Sequence, residues 1–585
     1  MKWVLAEHDA GAVSRLSVQA GIHPLIARLM VGRGITDAAA ALIYLSTDLS
    51  SLSDPGVFSG MDRAVGRIRQ AISSNELIII YGDYDVDGVT GAALLFLALQ
   101  QLGARVESYI PDRMTEGYGL NEEALGRIKS SGAALVITVD CGISAVKQAA
   151  AARTLGLDLI ITDHHESAAV HWEGTSPAPG VLPEALAVIH PGLVQPETPG
   201  IIRESVGVLT GVGVAFKLAQ ALADLPAGDE RMKQYLDLVT LGTIADVGRL
   251  TGENRVLVRH GLEVLSSEPP RLRPGIAALK EVANLAGRKV NVGTVGFTLA
   301  PRINASGRLE RADTAFRLMT TDSVDEALDL AAMLDRVNRE RQEVEETIWG
   351  AAREQCLRAD MANTGAFILS SDEWHPGVIG IVASRIVEEF YRPTALISVK
   401  DGVGKGSARS IPGFDLYQGL SACSDLLLGF GGHKYAAGLT VAADRIEPLR
   451  ERLSAAVLDQ LGPAGFVRTL CIDSPVTFDD LTFDLLGDIE RMAPFGQGNP
   501  EPRFGAKGLE VLSLRAVKDN RHLKLRLRQQ GSLQYDAIAF NKAESLGSRL
   551  RTGMRIAAVF TPRVNTWNGM TNIQLEIRDV KVEKG

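Results

Sequence analysis

Between residues 76 and 165 the apolar positions come in short unbroken runs: LIIIY at 77–81, ALVITV at 134–139 and LDLIIT at 157–162. None alternates as a half-exposed strand would, so each reads as a strand covered on both faces. Helix-patterned segments separate them (GVTGAALLFLALQQLGA, AVKQAAAARTLG), and RVESYI supplies a further strand. Strand and helix in alternation predict a parallel sheet with helices packed on it.

The pattern changes outside this stretch. Residues 1–70 read as a helical, partly irregular segment with SSLSDPGVFSG as a turn-rich connector, and 167–200 is loop-rich in Pro and Gly. From Val324 to Arg358 the chain is charged and helix-patterned, with no Pro and Gly only at 350, which predicts a long rigid connector. A second α/β unit begins at AFILSS (366–371), and a β-rich unit with the runs HLKLRLRQ, YDAIAF and MRIAAVFTPRV follows from near Thr469. The expected fold class is α/β. It comprises an N-terminal segment (1–70), a parallel-sheet domain (71–320), a connecting helix (321–358), a second α/β domain (359–465) and an OB-like β-barrel (466–585). A chain of 585 residues is long enough for several such cores.

Composition narrows the function. The net charge of −9 gives no bulk attraction to nucleic acid, so a polyanion must be held by local basic surface. The four cysteines lie far apart with no CxxC, against both a disulfide framework and a thiolate zinc site. The opening MKWVLAEHD carries no signal-like apolar stretch, and no run approaches the ~20 apolar residues of a membrane span, so a cytoplasmic protein without membrane contact is expected.

The chemistry lies where the buried strands end. The first leads into GDYDVDG, the second into Asp140, and the third into Asp163, His164 and His165. A calcium EF-hand is excluded: its loop needs a bidentate Glu at position twelve, and counting from Asp83 that position is Leu94. Asp83, Asp85 and Asp87 on one strand-to-helix turn repel unless neutralised, and a divalent cation is the usual remedy. A mixed carboxylate and imidazole set suits Mn2+ or Mg2+ better than Zn2+. Asp246 in LVTLGTIAD reads, by itself, as a helix-end acid.

GDYDVDG, VITVD, TDHH and GTIADV, in that order, resemble the four motifs of the DHH phosphoesterase superfamily. PRINASGRL (301–309), WHPGVIGIVASRI (374–386), GKGSARS (404–410), GGHKYAAG (431–438) and PFGQGNPEP (494–502) are similar to its bacterial single-strand-specific exonucleases, with the second α/β unit as the DHHA1 domain. The resemblance implies a site for two cations, Mn2+ or Mg2+, held by Asp85, Asp87, Asp140, His164 and Asp246, with Asp140 bridging. His165 falls where an imidazole faces the scissile phosphate, and Asp83 where a carboxylate orients water. Tyr81 stands where many members carry a metal-ligating His, which implies that one ion is held loosely; His190 precedes Pro191 where Asn is usual.

Substrate contacts are expected from the same source. Ser407 and Arg409, two apart and hence on one face of an extended segment, match a pocket for a terminal 5′-phosphate, joined by Arg113 and Tyr118. Arg302, Asn304 and Arg308 match a group along the strand, and Gly432 with His433 a close backbone approach to phosphate. In the third unit Leu523, Leu525 and Leu527 alternate with Lys524, Arg526 and Arg528, a half-buried strand with a basic outer face. Phe495, Phe504, Tyr535 and Trp567 are candidate stacking partners for bases. The implied activity is a metal-dependent 5′→3′ exonuclease on single-stranded DNA, monomeric, acting in recombination and repair beside a helicase and a single-strand-binding protein. Shorter nucleotides as substrates, or a non-catalytic DNA-binding scaffold, are the competing readings.

Overall fold

In the computed structural model, residues 1–583 are described apart from 113–115, 118, 168–180, 310–312, 530, 532 and 568, and the side chains of Arg308, Leu309, Pro463 and Trp567 also lie outside the description. The first α/β unit carries strands β1 (Leu77–Gly82), β2 (Arg105–Tyr109), β3 (Ala133–Val139), β4 (Asp158–Thr162) and β5 (Ala187–Ile189). They form one sheet in the order β2-β1-β3-β4-β5, every pair parallel. The unbroken apolar runs have the predicted cause. Ile78 and Ile80 enter one core with helix α1 (Val86–Gln101), while Leu77, Ile79 and Tyr81 enter another on the opposite face.

The chain leaves β1 toward β2 and leaves β3 toward β4, in opposite directions along the sheet. The carboxyl ends of β1 and β3 therefore border the crevice in which open α/β sheets bind their ligands. Behind it pack α2 (Gly211–Leu222), α3 (Leu236–Ala245) and α4 (Ala300–Leu309). Helix α5 (Val324–Leu357) is the expected connector, 34 residues without a break.

The second unit has a mixed sheet. Strand β6 (Phe367–Ser371) is parallel to β7 (Thr394–Lys400); β8 (Val403–Arg409), β9 (Leu427–His433) and β10 (Ala436–Ala442) add in the order β9-β10-β8-β7-β6, and α6 (Ile379–Phe390) covers a face. In the third unit β11 (Phe504–Val517), β12 (His522–Gln529), β13 (Gln534–Ala539), β14 (Arg555–Trp567) and β15 (Met570–Val582) run β11-β12-β13-β15-β14, and β11 pairs back onto β14, closing an OB-like barrel.

Residues 1–70 do not behave as one segment. The strand Lys2–Leu5 pairs in parallel with Thr469–Ile472, and Leu16, Leu29, Met30 and Leu45 share a core with Phe504, Leu525 and Phe560 of the barrel. Leu49, Phe58, Met61 and Ile68 belong instead to the core of the first α/β unit. Among the described residues no single helix is long and apolar enough to cross a membrane.

Candidate metal centre and nucleic-acid interface

The register of the sheet aligns the acids. Gly82 lies opposite Val139, and Val139 opposite Thr162, so the next residues (Asp83, Asp140 and Asp163) emerge side by side at the spacing of neighbouring strands. Backbone bonds continue the ladder by one step, from Asp83 N–H to the Val139 carbonyl, Asp140 N–H to Thr162 and Asp163 N–H to Ile189. Asp140 takes a left-handed φ of 63°, turning the chain so that its carboxylate faces the crevice.

Each acid is held differently. Asp85 caps α1, its Oδ1 accepting from the amides of Asp87 (2.9 Å) and Gly88 (3.1 Å). The helix-cap role open to one acid of the turn thus falls to Asp85, which also lies with Asp83 and Asp140 in a group of oxygens within 4.8 Å of one another. Asp87, 1% exposed, accepts at Oδ2 from Gly211 N–H (2.7 Å) and at Oδ1 from Val212 N–H (3.0 Å), the first amides of α2. A second group joins Asp87, His164 and Asp246, and a third Asp140, His164 and His165.

The two neighbouring histidines are pushed apart. Burial, then the charge of His165, holds His164 neutral, down at about 3. Its Nε2 sits 3.0 Å from Asp140 Oδ1 and 3.7 Å from both Asp87 Oδ2 and Asp246 Oδ2. The close contact to Asp140 is no ion pair, because burial and the charges of Asp87 and Asp85 push the Asp140 carboxyl well above its ordinary value. Neither Nε2 of His164 nor Oδ1 of Asp140 has a hydrogen-bond partner among the described residues. His165 resists burial through its 2.8 Å bond from Nδ1 to Asp163 Oδ1, and is raised to about 9. Asp163 in turn accepts from the amides of His164, His165 and Ile143; these bonds and His165 overcome burial and hold it at about 2.

Two buried polar atoms 3.0 Å apart, neither with a hydrogen-bond partner among the described residues, in a ring of acids are what a bound cation would satisfy. Burial first, then like charge, raises Asp87 to about 7 and Asp246 to about 8. The donor set is carboxylate-rich with one neutral imidazole and no thiolate, which fits a hard divalent cation such as Mn2+ or Mg2+.

Tyr81 is turned away from this cluster. Its hydroxyl donates to the Gly119 carbonyl (3.0 Å) and accepts from Asn121 Nδ2 (3.2 Å), and its ring stacks on Tyr109, so the phenol fastens a loop and ligates nothing. His190, without a reading from sequence, bonds at Nε2 to the His165 carbonyl (3.0 Å) and accepts at Nδ1 from Gly192 N–H.

Sequence reasoning missed the glycines that let the helices close on the acids. A Cβ on Gly211 would lie 2.6 Å from Asp140 Cβ, and one on Gly242 2.6 Å from Asp87 Oδ1. A run such as TGVGVAFKLAQAL announces a helix start, but not what it packs on. Gly211→Ala is expected to weaken Mn2+ binding by about tenfold or more, the usual cost of disturbing the support of a ligand. Calorimetric titration measures it, and parental affinity would show that the cradle tolerates the methyl group.

The substrate candidates fare unevenly. Ser407 and Arg409 do share a face: Arg409 donates to Ser407 Oγ (3.1 Å), and a Cβ on Gly380 at the start of α6 would lie 2.9 Å from that oxygen and 3.1 Å from the guanidinium. Arg409, a hydroxyl and a helix N-terminus converge there, a ready anion site. Asn304 accepts from Val86 N–H (3.2 Å), so α4 braces the GDYDVDG turn. Arg302 is partly buried and paired to Asp335 of α5 (2.9 Å). Gly432, at φ 139°, and exposed His433 close the β9–β10 hairpin. Arg113, Tyr118 and the side chain of Arg308 lie outside the described residues.

On the barrel the alternation holds: Leu523, Leu525 and Leu527 are core, and Arg526 and Arg528 are exposed. The stacking candidates fail in part. Phe504 is fully buried, and Tyr535 is buried with its hydroxyl donating to the Leu481 carbonyl, because both point into the barrel. Phe495 is partly buried against the same core, and the Trp567 side chain is not described.

Comparison with known proteins accords with this arrangement. The family model of the DHH family, N-terminal domain, matches residues 77–243, that of the DHHA1 domain 363–459, and that of the RecJ OB domain 472–579. The single-stranded-DNA-specific exonuclease RecJ of Bacillus subtilis (strain 168) is 41% identical over 591 residues, covering 100% of this chain and 71% of the relative. Its namesake in Escherichia coli (strain K12) is 34% identical over 583 residues, covering 96% of each. The crystal structure of RecJ in complex with Mn2+ from Thermus thermophilus superposes with a TM-score of 0.80 at 29% identity, covering 100% of this chain and 80% of that one. A chain with these three domains around an acid-and-histidine cluster, and with relatives this close along its whole length, belongs to the RecJ family of single-stranded-DNA-specific exonucleases.

Proposed function

We propose that this chain degrades single-stranded DNA from its 5′ end and releases 5′-mononucleotides, using two Mn2+ or Mg2+ ions held by Asp85, Asp87, Asp140, His164 and Asp246. The observation that carries the metal assignment is the buried, partnerless contact between His164 Nε2 and Asp140 Oδ1 inside a ring of carboxylates. When bound, the ions supply Lewis acidity to the phosphodiester and bring a water molecule's pKa toward neutrality.

The protein's own groups do the rest. His164 is kept neutral by burial, so its lone pair is available at physiological pH. His165 is kept protonated by Asp163, and its side chain is 42% exposed, so it presents a cation to charge developing on the phosphate. Asp83, beside Asp85 and Asp140, orients the attacking water. Asn304 and the amides of Gly211 and Val212 fix the carboxylates before substrate arrives.

Polarity is assigned to Arg409 and Ser407 as the seat of a terminal 5′-phosphate, with the exposed arginines of β12 holding the strand further along. Arg409→Ala should reduce the preference for 5′-phosphorylated over 5′-hydroxyl ends about tenfold or more, the worth of a charged hydrogen bond, and leave Mn2+ binding in place. Unchanged end preference would remove this assignment. The wider reading is a cytoplasmic monomer working in recombination and repair with a helicase and a single-strand-binding protein. The division in this reading is a catalytic domain (71–320), a connecting helix (321–358), the DHHA1 domain (359–465) and a barrel (466–585) on which the first helices pack. The decisive assay uses single strands labelled at either end, with Mn2+, Mg2+ or chelator. Loss of 5′ label as mononucleotide, only with metal, is expected; release from the 3′ end, or digestion in chelator, would overturn the proposal.

A further inference from the structure

Phe504 and Tyr535, two of the aromatics expected to stack on bases, are internal to the barrel, yet an aromatic on the turn that leads into α4 stands almost wholly in solvent. Phe297 is 88% exposed. Among the described residues the other Phe and Tyr side chains exposed by 45% or more are Tyr417, Tyr435, Phe483 and Phe540, in the second unit, the barrel or the helix leading into it. Of these, Phe297 stands on the turn packed against α3, the helix that Asp246 caps at its C-terminus.

Its position follows from a proline. Pro301 has no N–H to give the Phe297 carbonyl, as an α-helix would require. The preceding turn, Val295–Leu299, is instead a π-turn closed by Ala300 N–H on the Val295 carbonyl. Such turns are uncommon and recur at functional sites. The segment is braced from two sides. A Cβ on Gly296 would meet Ile244 at 3.7 Å, two residues before Asp246, and one on Gly307 would meet the Tyr84 carbonyl at 2.8 Å in the turn bearing Asp83, Asp85 and Asp87. Phe297, Pro301 and Asn304 follow at spacings of four and three, roughly one helix face, and Asn304 bonds the first amide of α1. Val247, directly after Asp246, is also 66% exposed.

We propose that Phe297 is a stacking platform for a base of the single strand whose backbone lies across the metal centre. This rests on the nuclease reading above. A flat ring held on a braced helix accepts any base, because every base has a π-face. It demands an unpaired one, since a base within a duplex is already stacked on both sides. Phe297 would therefore contribute to the choice of single strands without reading sequence.

The test uses the full chain. Phe297→Ala should raise the concentration of oligothymidylate needed for half-maximal digestion about tenfold, the effect of one lost base–aromatic stack, while Mn2+ affinity by calorimetry stays at the parental value. Phe297→Trp should restore the parental half-saturation, and with EDTA present its added emission should be quenched by oligothymidylate beyond the quench of the parent's five tryptophans. The proposal falls if Phe297→Ala keeps the parental half-saturation, or if the added emission ignores the strand. A parent protein that leaves the strand intact in Mn2+ would sink the nuclease reading, and this inference with it.

Discussion

Asp140→Asn is expected to abolish digestion while making the metal-free protein more stable. The two effects have one cause. Asp140 is 2% exposed, and its carboxylate faces Asp87, Asp85, Asp83 and Asp246 with no hydrogen-bond partner for Oδ1 among the described residues. A cation turns that repulsion into binding energy; without one it is a cost of folding. An amide removes the charge and keeps the shape, and Asn tolerates the left-handed φ of 63° at least as well as Asp. Activity should fall about 10³-fold or more, since the bound ions contribute several kcal/mol to the transition state. The melting temperature in chelator should rise, and the increase that Mn2+ gives the parent should be lost. A variant that digests DNA at the parental rate would overturn the two-ion assignment. One that melts lower in chelator would show that the acids are not in conflict.

The same conflict predicts how stability varies with pH. Asp87 and Asp246 have folded values of about 7 and about 8, raised from 3.8. The native state therefore binds more protons than the unfolded chain above pH 4, and stability falls as pH rises through that range, with the full penalty above pH 8. His165, raised from 6.5 to about 9, adds stability below pH 6.5 that is lost on the way to pH 9; its partial exposure makes this the smaller part. His164, depressed to about 3, works the other way but only below pH 6.5, where the unfolded imidazole gains a proton. From pH 6.5 to 9 every contribution has one sign, so in chelator the protein should lose stability, on the order of a few kcal/mol. With Mn2+ the slope should flatten or reverse, because ligands must be deprotonated and affinity rises with pH. Thermal melts across that range, with and without metal, test this. A flat profile in chelator would mean that the acids are relaxed without a cation.

The parts of this protein that depend on local pattern were legible in its sequence. Unbroken apolar runs gave covered strands, the stretch free of Pro and almost free of Gly gave α5, and strict alternation in HLKLRLRQ gave a barrel strand with leucines inward. Asp83, Asp140 and Asp163 were visible because each follows a buried strand, and a parallel sheet brings such ends together; Asp246 ends a helix and was singled out by its motif instead. The misreadings have one source. Phe504 and Tyr535 suit base stacking by residue type, yet the barrel closes over both. A side chain's direction there is set by a partner far along the chain, which periodicity does not reveal. Helices within residues 1–46 joined the barrel core for the same reason.

Residue types and spacing determined by themselves that acids and imidazoles meet at a sheet edge. Only the tertiary structure decided which imidazole is neutral and which is charged. His164 and His165 are neighbours with the same intrinsic basicity, separated because one faces the buried acids of the crevice and the other is bonded to Asp163. It also decided which helix starts support the ligands: the amides of Gly211 and Val212 reach Asp87 across 124 and 125 residues. Local sequence sets what a residue can do, and burial and long-range neighbours set which of its states is populated.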